Sequence, residues 1–388
     1  MYRIRLDSIR LKSLTDAYLL KYKDDLQKEI EGFLNGEKKC AYSHSVGRTK
    51  RRTFLLKSNS TSSSFSYGFL KRCCDPNDDL LDKLLIGDFK TQLSIIRLVY
   101  NDSQTHFDSL TANKADTMGY VNGQVVDDFN AILYEIFVNR SFDGDGKSYA
   151  LPLDKDAFVK DLGIRVCPYC GRAFVFRVEK KGKNGIVSVK PQLDHFLPKR
   201  KYPFLAMNFY NLVPCCTQCN MAPCKVDNDP LDSTLNRIQF LMHPYVFDEN
   251  EIRFVFRLNA PNTYDPDSYD IMVGYKNKDL KRGYNDFLAI DKVYAGHRVE
   301  LNNMFIRARS FHVLTNGLYK KIGIYSSPIP SLNQFVLGFN FSKREETRQL
   351  MYKFNKDTFL QMAQNHHGKK AETFFADWDG IELCISIK

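Results

Sequence analysis

The sequence predicts an α+β chain: a cysteine-framed segment lies at its centre, a mainly helical region before it and a mixed, largely helical region after it. Three observations carry that reading. Apolar residues recur at three- and four-residue spacing through much of the first 150 residues. Two CxxC pairs bracket a stretch of alternating apolar residues that reads as a β-hairpin. Strand-like and helical patterns then mix to the end of the sequence. The expected divisions are 1–150, 151–235 and 236–388.

Composition narrows the function classes. The 388 residues are 43% hydrophobic and 26% charged, enough to bury real cores. No run of eighteen apolar residues occurs, and the opening MYRIRLDSIRLKSLTDAYLL is broken by charges, so a membrane span and a signal peptide are not expected. A cytoplasmic protein is expected, and in a reducing compartment clustered cysteines read first as metal ligands rather than disulfides. The formal charge of +11 favours an anionic partner such as nucleic acid. That charge is focused: residues 160 to 225 hold twelve Lys or Arg against three Asp or Glu.

The elements follow in order. Helices are expected over Asp24 to Phe33, Asp79 to Tyr100 and Val126 to Val138. Between the first two, Ser43 to Tyr67 reads as a loop or hairpin, with Arg48, Lys50, Arg51 and Arg52 either a solvated turn or a phosphate-contacting arm. Phe142 to Ser148, FDGDGKS, satisfies neither a P-loop nor a calcium loop: Ser141 stands where the first needs Gly, and Ser148 and Asp154 where the second needs Gly and Glu. It reads as an exposed turn. Past Pro230 come strand-like runs around Tyr245 to Phe256, then helices over Tyr284 to Ser310 and Lys343 to Gln364.

CPYC at Cys167 to Cys170 and CTQC at Cys216 to Cys219 are paired knuckles, 45 residues apart. Two residues between thiolates let both sulfurs face one ion, and two such turns complete a closed tetrahedral zinc site. Cys215 and Cys224 lie near enough to substitute for a neighbour; Cys216 and Cys219 keep the two-residue spacing. Four thiolates leave no open position for water, so this zinc is structural and any chemistry lies elsewhere. Between the knuckles, AFVFRVEK, a KGKNG turn and IVSVKPQL form the expected hairpin.

At the end of the second hairpin arm, Asp194 and His195 stand side by side, Asn211 follows His195 by sixteen residues and Asn220 by twenty-five. Knuckles, acid, histidine, central Asn and final Asn in this order resemble the zinc-stapled branch of the HNH endonucleases, over about sixty residues from Arg165 to Lys225. The resemblance implies a ββα-metal core in which Asp194 and Asn220 hold a catalytic divalent ion, His195 is the general base and Asn211 braces the loop. Imidazole is the side chain whose unperturbed pKa suits a base near neutrality, and Asp and Asn oxygens suit Mg²⁺ or Mn²⁺. Lys199, Arg200 and Lys201, with Lys180, Lys181 and Lys183 of the hairpin, are candidates to contact phosphates. One departure from the family pattern is MAPCK after Asn220, which moves Lys225 outward and puts Pro223 inside the expected helix.

The tract DHFLPKRKYPFLAMNFYNLVPCC, with HPYVF and FLAIDKVYAGH downstream, further resembles the PtuB-like HNH subunits of Septu-type antiphage systems. That likeness implies duplex DNA as substrate and an ATPase as partner, with residues 1–150 as a docking surface. The competing reading is a catalytically silent, zinc-stapled nucleic-acid-binding module. His243 and His297 are expected as packed or capping groups, and His366 with His367 as a helix end.

Overall fold

The computed structural model describes residues 2–35, 40–42, 52–54, 65–102, 133, 141–142, 148–149, 153–182, 185–189, 191–199, 201–221, 224–225, 228–232, 237–259, 265–313, 338 and 346–367. Helices and small antiparallel sheets mix, as the α+β reading expects. Among the described residues no helix is long and apolar enough to cross a membrane.

The first helix, α1 (Ser8–Leu34), is far longer than the expected Asp24 to Phe33. Asp7 starts it by accepting Arg10 N at 2.8 Å. Tyr18, Tyr22, Leu26 and Ile30, four residues apart, form its buried stripe. A short hairpin of β1 (Cys40–Tyr42) and β2 (Arg52–Phe54) follows, and the basic cluster between its strands lies outside the described residues apart from Arg52. Next comes α2 (Phe65–Cys73).

The single helix expected over Asp79 to Tyr100 is two, α3 (Leu80–Ile86) and α4 (Phe89–Asp102). The break has a local cause. Gly87 passes so close to the end of α3 that a Cβ there would stand 2.3 Å from Lys83 O, and Asp88 then caps α4 by accepting Thr91 N at 2.9 Å. The helix expected over Val126 to Val138 lies outside the described residues except for buried Leu133. β3 (Ser141–Phe142) and β4 (Ser148–Tyr149) pair across the FDGDGKS segment.

In the central segment α5 (Lys155–Leu162) precedes the first knuckle, and the expected hairpin is β5 (Val178–Gly182) with β6 (Gly185–Val189). Asp194 and His195 do not end the second hairpin arm as expected: they lie on a separate strand, β7 (Gln192–His195), which pairs antiparallel with β8 (Leu212–Cys215), Asp194 opposite Val213 and His195 opposite Leu212. The helix α6 (Thr217–Asn220) is one turn long and packs on β7. It ends three residues before Pro223, which cannot continue a helix, and Met221 beyond it is extended.

The C-terminal region pairs β9 (Ile252–Leu258) with β10 (Tyr269–Tyr275). The helix expected over Tyr284 to Ser310 is instead α7 (Lys278–Leu288), α8 (Ile290–Ala295) and α9 (Arg298–Val313), divided at Ala289, whose φ is 51°, and again at Gly296 and His297. The last described helix, α10 (Tyr352–His367), ends on His366 and His367 and covers the edge of β9 away from β10: Asp357 accepts Phe254 N, and Gln361 bonds both Phe256 N and Phe256 O.

Both flanking regions are packed onto the central segment. Tyr18 of α1 donates to Met207 O at 2.8 Å and stacks edge-on against Phe209. From the C-terminal side, Tyr294 donates to Cys170 O at 2.5 Å, and Arg165 N and Val166 N donate to Thr347 O. The segment before α1 adds Ile4 N to Pro244 O at 2.9 Å, and the Tyr2 hydroxyl donates to Val166 O. One contiguous apolar core runs through all three regions.

Candidate functional site

The two knuckles converge. Cys167, Cys170, Cys216 and Cys219 are all buried, and their four Sγ atoms lie within 4.8 Å of one another. Sulfurs about 2.3 Å from a tetrahedral zinc ion stand about 3.8 Å apart; Cys170 Sγ and Cys216 Sγ are 3.8 Å apart. The first knuckle has the backbone such a site uses: Gly171 N donates to Cys167 O, Arg172 N approaches Cys170 Sγ at 3.4 Å, and Gly171 takes the left-handed φ of 69° that lets the chain turn past the sulfur. In the second, Cys216 caps α6 and its carbonyl accepts Cys219 N and Asn220 N.

Without a cation the four thiols share protons unevenly. Bonds from Cys167 hold Cys170 and Cys216 below the ordinary thiol value, burial pushes Cys167 up, and the bond to Cys167 pushes Cys219 up. A divalent cation removes that conflict by letting all four ionise. The donor set therefore fits zinc. Cys215 is buried in β8, its thiol pushed up by burial and then by Asp194, and neither Cys215 nor Cys224 belongs to the cluster.

The adjoining residues come from β7, β8, α6 and the loop between the strands. His195 ends β7, half-buried, and its Nε2 lies 3.1 Å from Ala206 O. A carbonyl only accepts, so Nε2 carries the proton and Nδ1 is the acceptor of the neutral ring. Burial first, and then the charge of Lys199, pushes the imidazole down to about 3, so the ring is neutral at neutral pH. Asn211 is fully buried and ties the loop together: its Nδ2 donates to Leu197 O at 3.2 Å and Leu205 O at 3.0 Å, its Oδ1 accepts Leu197 N at 2.7 Å, and its own carbonyl accepts Phe196 N.

Asp194 is buried, and its carboxylate is already engaged. Oδ2 accepts from the Tyr169 hydroxyl at 2.6 Å and lies 3.1 Å from Lys225 Nζ. Lys225 also donates to His195 O at 2.9 Å and lies over the Phe196 ring. Asn220 ends α6 with Nδ2 3.4 Å from Gln192 Oε1. Asp194, His195 and Asn211 thus meet along β7 and the loop after it, while Asn220 reaches β7 at Gln192; the cation beside Asp194 is an ammonium. As arranged, the donor set does not fit a divalent ion between Asp194 and Asn220.

Of the expected phosphate contacts, three have described side chains. Lys199 is half-buried near His195, and Lys181 is exposed on β5. Lys201 is instead ion-paired with Asp229 at 2.5 Å, an acceptor it shares with the Tyr202 hydroxyl. Arg200 and Lys183 lie outside the described residues, as does the side chain of Lys180. His243 and His297 are packed: His243 against Phe196 and Phe89, His297 against Tyr294 and within 3.4 Å of Arg172 Nη1.

Tyr169 is the residue that sequence reasoning passed over, and Lys225 the one it placed too far out. Tyr169 occupies a spacer position of the first knuckle, and its only signal is a hydroxyl-bearing ring there. Lys225 had the family's basic character but the wrong distance from Asn220. Comparison of the chain with protein-family models, curated proteins and solved structures finds no match.

Proposed function

We propose that this chain is a zinc-stapled endonuclease of the HNH type, hydrolysing phosphodiester bonds of nucleic acid, most simply duplex DNA, with His195 as general base. The observation that carries the reading is the setting of His195: its Nε2 donates to Ala206 O, which fixes the neutral tautomer in which Nδ1 is the basic nitrogen. An anionic phosphate beside a neutral imidazole favours the imidazolium that proton transfer creates. The half-buried Lys199 adds positive charge nearby. Two antiparallel strands, a one-turn helix and a sulfur cluster support the same reading.

The zinc would be held by Cys167, Cys170, Cys216 and Cys219 and would fix the strand pair in place. A catalytic Mg²⁺ or Mn²⁺ at Asp194 and Asn220 requires Lys225 to release Asp194. The place of the nuclease in an antiphage system, beside an ATPase, belongs to the same proposal and rests on resemblance.

One observation favours the second reading, a silent zinc-stapled binding module: Asp194 is neutralised internally by Lys225. A single experiment separates the two. Zinc-loaded protein and His195→Ala are incubated with plasmid in EDTA, Mg²⁺ and Mn²⁺, with and without the product of a neighbouring ATPase gene. The nuclease reading expects nicking that falls on the order of 10²- to 10⁴-fold in the variant. Binding without cleavage in every arm, or equal cleavage by the variant, overturns it.

A further inference from the structure

Asn208 joins the helical region to the loop that sets His195. It is fully buried, and both ends of its amide are in use. Oδ1 accepts from Tyr210 N at 2.9 Å, Asn211 N at 3.2 Å and Gln92 Nε2 of α4 at 2.7 Å. Nδ2 donates to the carbonyls that end α3, Leu84 O at 3.1 Å and Gly87 O at 3.0 Å. The side chain therefore caps the short 3₁₀ turn Phe209–Asn211 and at the same time closes the C-terminus of α3.

From that turn the contacts lead directly to the imidazole. Asn211, the last residue of the turn, holds Leu205 O and both backbone groups of Leu197. Ala206, next to Leu205, supplies the carbonyl that fixes His195 Nε2, and Met207 O accepts from Tyr18 of α1. Two separate helical contacts thus pin the segment carrying the imidazole's partner. The orientation and tautomer of a histidine are set by what its second nitrogen bonds.

We infer that Asn208 is a positioning residue for His195, and that α3 and α4 set the imidazole through it. This deepens the nuclease reading, and its kinetic arm rests on that reading. Its structural arm does not. Displacement of α3 or α4 passes through Asn208 to the 3₁₀ turn, then to Ala206 O, and so to the direction in which Nδ1 faces.

Two substitutions each cut one side of the joint and leave the cap on the 3₁₀ turn. Gln92→Met keeps the length of the side chain and removes the donor from α4; Asn208→Asp keeps the acceptor and removes the donation to α3. Full-length, zinc-loaded proteins are compared by ¹⁵N spectra of the histidine rings, with His195→Ala giving the assignment, and by zinc content, melting and plasmid cleavage. The expected result is a shift of the His195 ring signals with those of His297 unmoved. Alongside it, kcat falls on the order of 10- to 100-fold while KM stays within about two-fold. Ser94→Ala, on the exposed face of α4, changes neither.

Unmoved His195 signals in folded, zinc-loaded variants overturn the inference. Loss of fold and zinc in both variants overturns it as well, since Asn208 would then be a fold contact alone. If the wild-type chain cleaves nothing, the nuclease reading fails, and the ring signals decide the positioning role by themselves.

Discussion

Lys225 Nζ lies 3.1 Å from Asp194 Oδ2, and both side chains are shut away from water, 0% and 4% exposed. Removing one partner of such a pair strands the other charge. Lys225→Met is expected to cost about 3 to 5 kcal/mol, measured by urea unfolding of zinc-loaded protein. Combining it with Asp194→Leu is expected to recover most of that loss, because no buried charge remains. The single variant also leaves Asp194 in need of a cation, so Mn²⁺ should raise its melting temperature more than that of the wild type. A single-variant cost under about 1 kcal/mol would mean that the pair is not load-sharing in the fold.

The sulfur cluster makes a sharper prediction because its members are separable from near neighbours. Cys216→Ser is expected to lose zinc and unfold the central segment, since structural zinc contributes on the order of 10 kcal/mol in small modules. Cys215→Ala and Cys224→Ser are expected to keep one zinc per chain by metal analysis, as neither thiol belongs to the cluster. Full zinc content in Cys216→Ser would reassign the ligand.

What was legible in the sequence was local. The knuckles and the β5–β6 hairpin follow from spacing within a few residues, whereas the bracing role of Asn211 came only with the HNH resemblance; its side chain does tie Leu197 and Leu205 together. Lys225 was misplaced because linear distance from Asn220 ignores the chain reversal after α6: Cys224 N bonds Met221 O at 2.8 Å and Lys225 N bonds Cys219 O at 3.2 Å, which returns the lysine to the cluster. Tyr169 reads in sequence as a spacer, because only folding shows that it faces Asp194. The start of α1 was hidden by the exposed charges that interrupt its opening turns. The docking of α3 on the 3₁₀ turns at Pro203–Leu205 and Phe209–Asn211 had no sequence signal, since an Asn in a loop looks the same whether it caps one turn or joins two regions.

Asn211 is expected to be costly to truncate. Asn211→Ala removes three side-chain hydrogen bonds and leaves Leu197 O, Leu205 O and Leu197 N without them inside the fold. Each stranded buried group costs about 1 to 3 kcal/mol, so a loss of several kcal/mol is expected in urea unfolding. Amide hydrogen exchange should locate the damage: faster exchange at Leu197 N, with Cys219 N on the zinc-held turn unchanged. Unaltered exchange at Leu197 would show that the loop is braced by other contacts.

Acid should destabilise the fold through His243. This residue is buried against Phe196, Phe89 and Tyr245, and its Nδ1 accepts Tyr245 N at 3.3 Å, a bond that protonation would break. Burial is the main reason its imidazole is pushed down from 6.5 to about 3. Below pH 6.5 the unfolded chain takes up a proton that the folded chain refuses, so the stability present above pH 6.5 is lost as pH falls toward 3. The expected loss from this residue is about 2 kcal/mol by about pH 5. His195 is shifted in the same direction and adds to the slope. His243→Asn, which keeps an acceptor for Tyr245 N but does not titrate, is expected to flatten the dependence of urea-unfolding free energy between about pH 5 and 7 by that amount. A variant with the wild-type slope would place the acid sensitivity in other groups, the cysteine cluster first, because zinc ligation by thiolates also weakens as protons compete for sulfur.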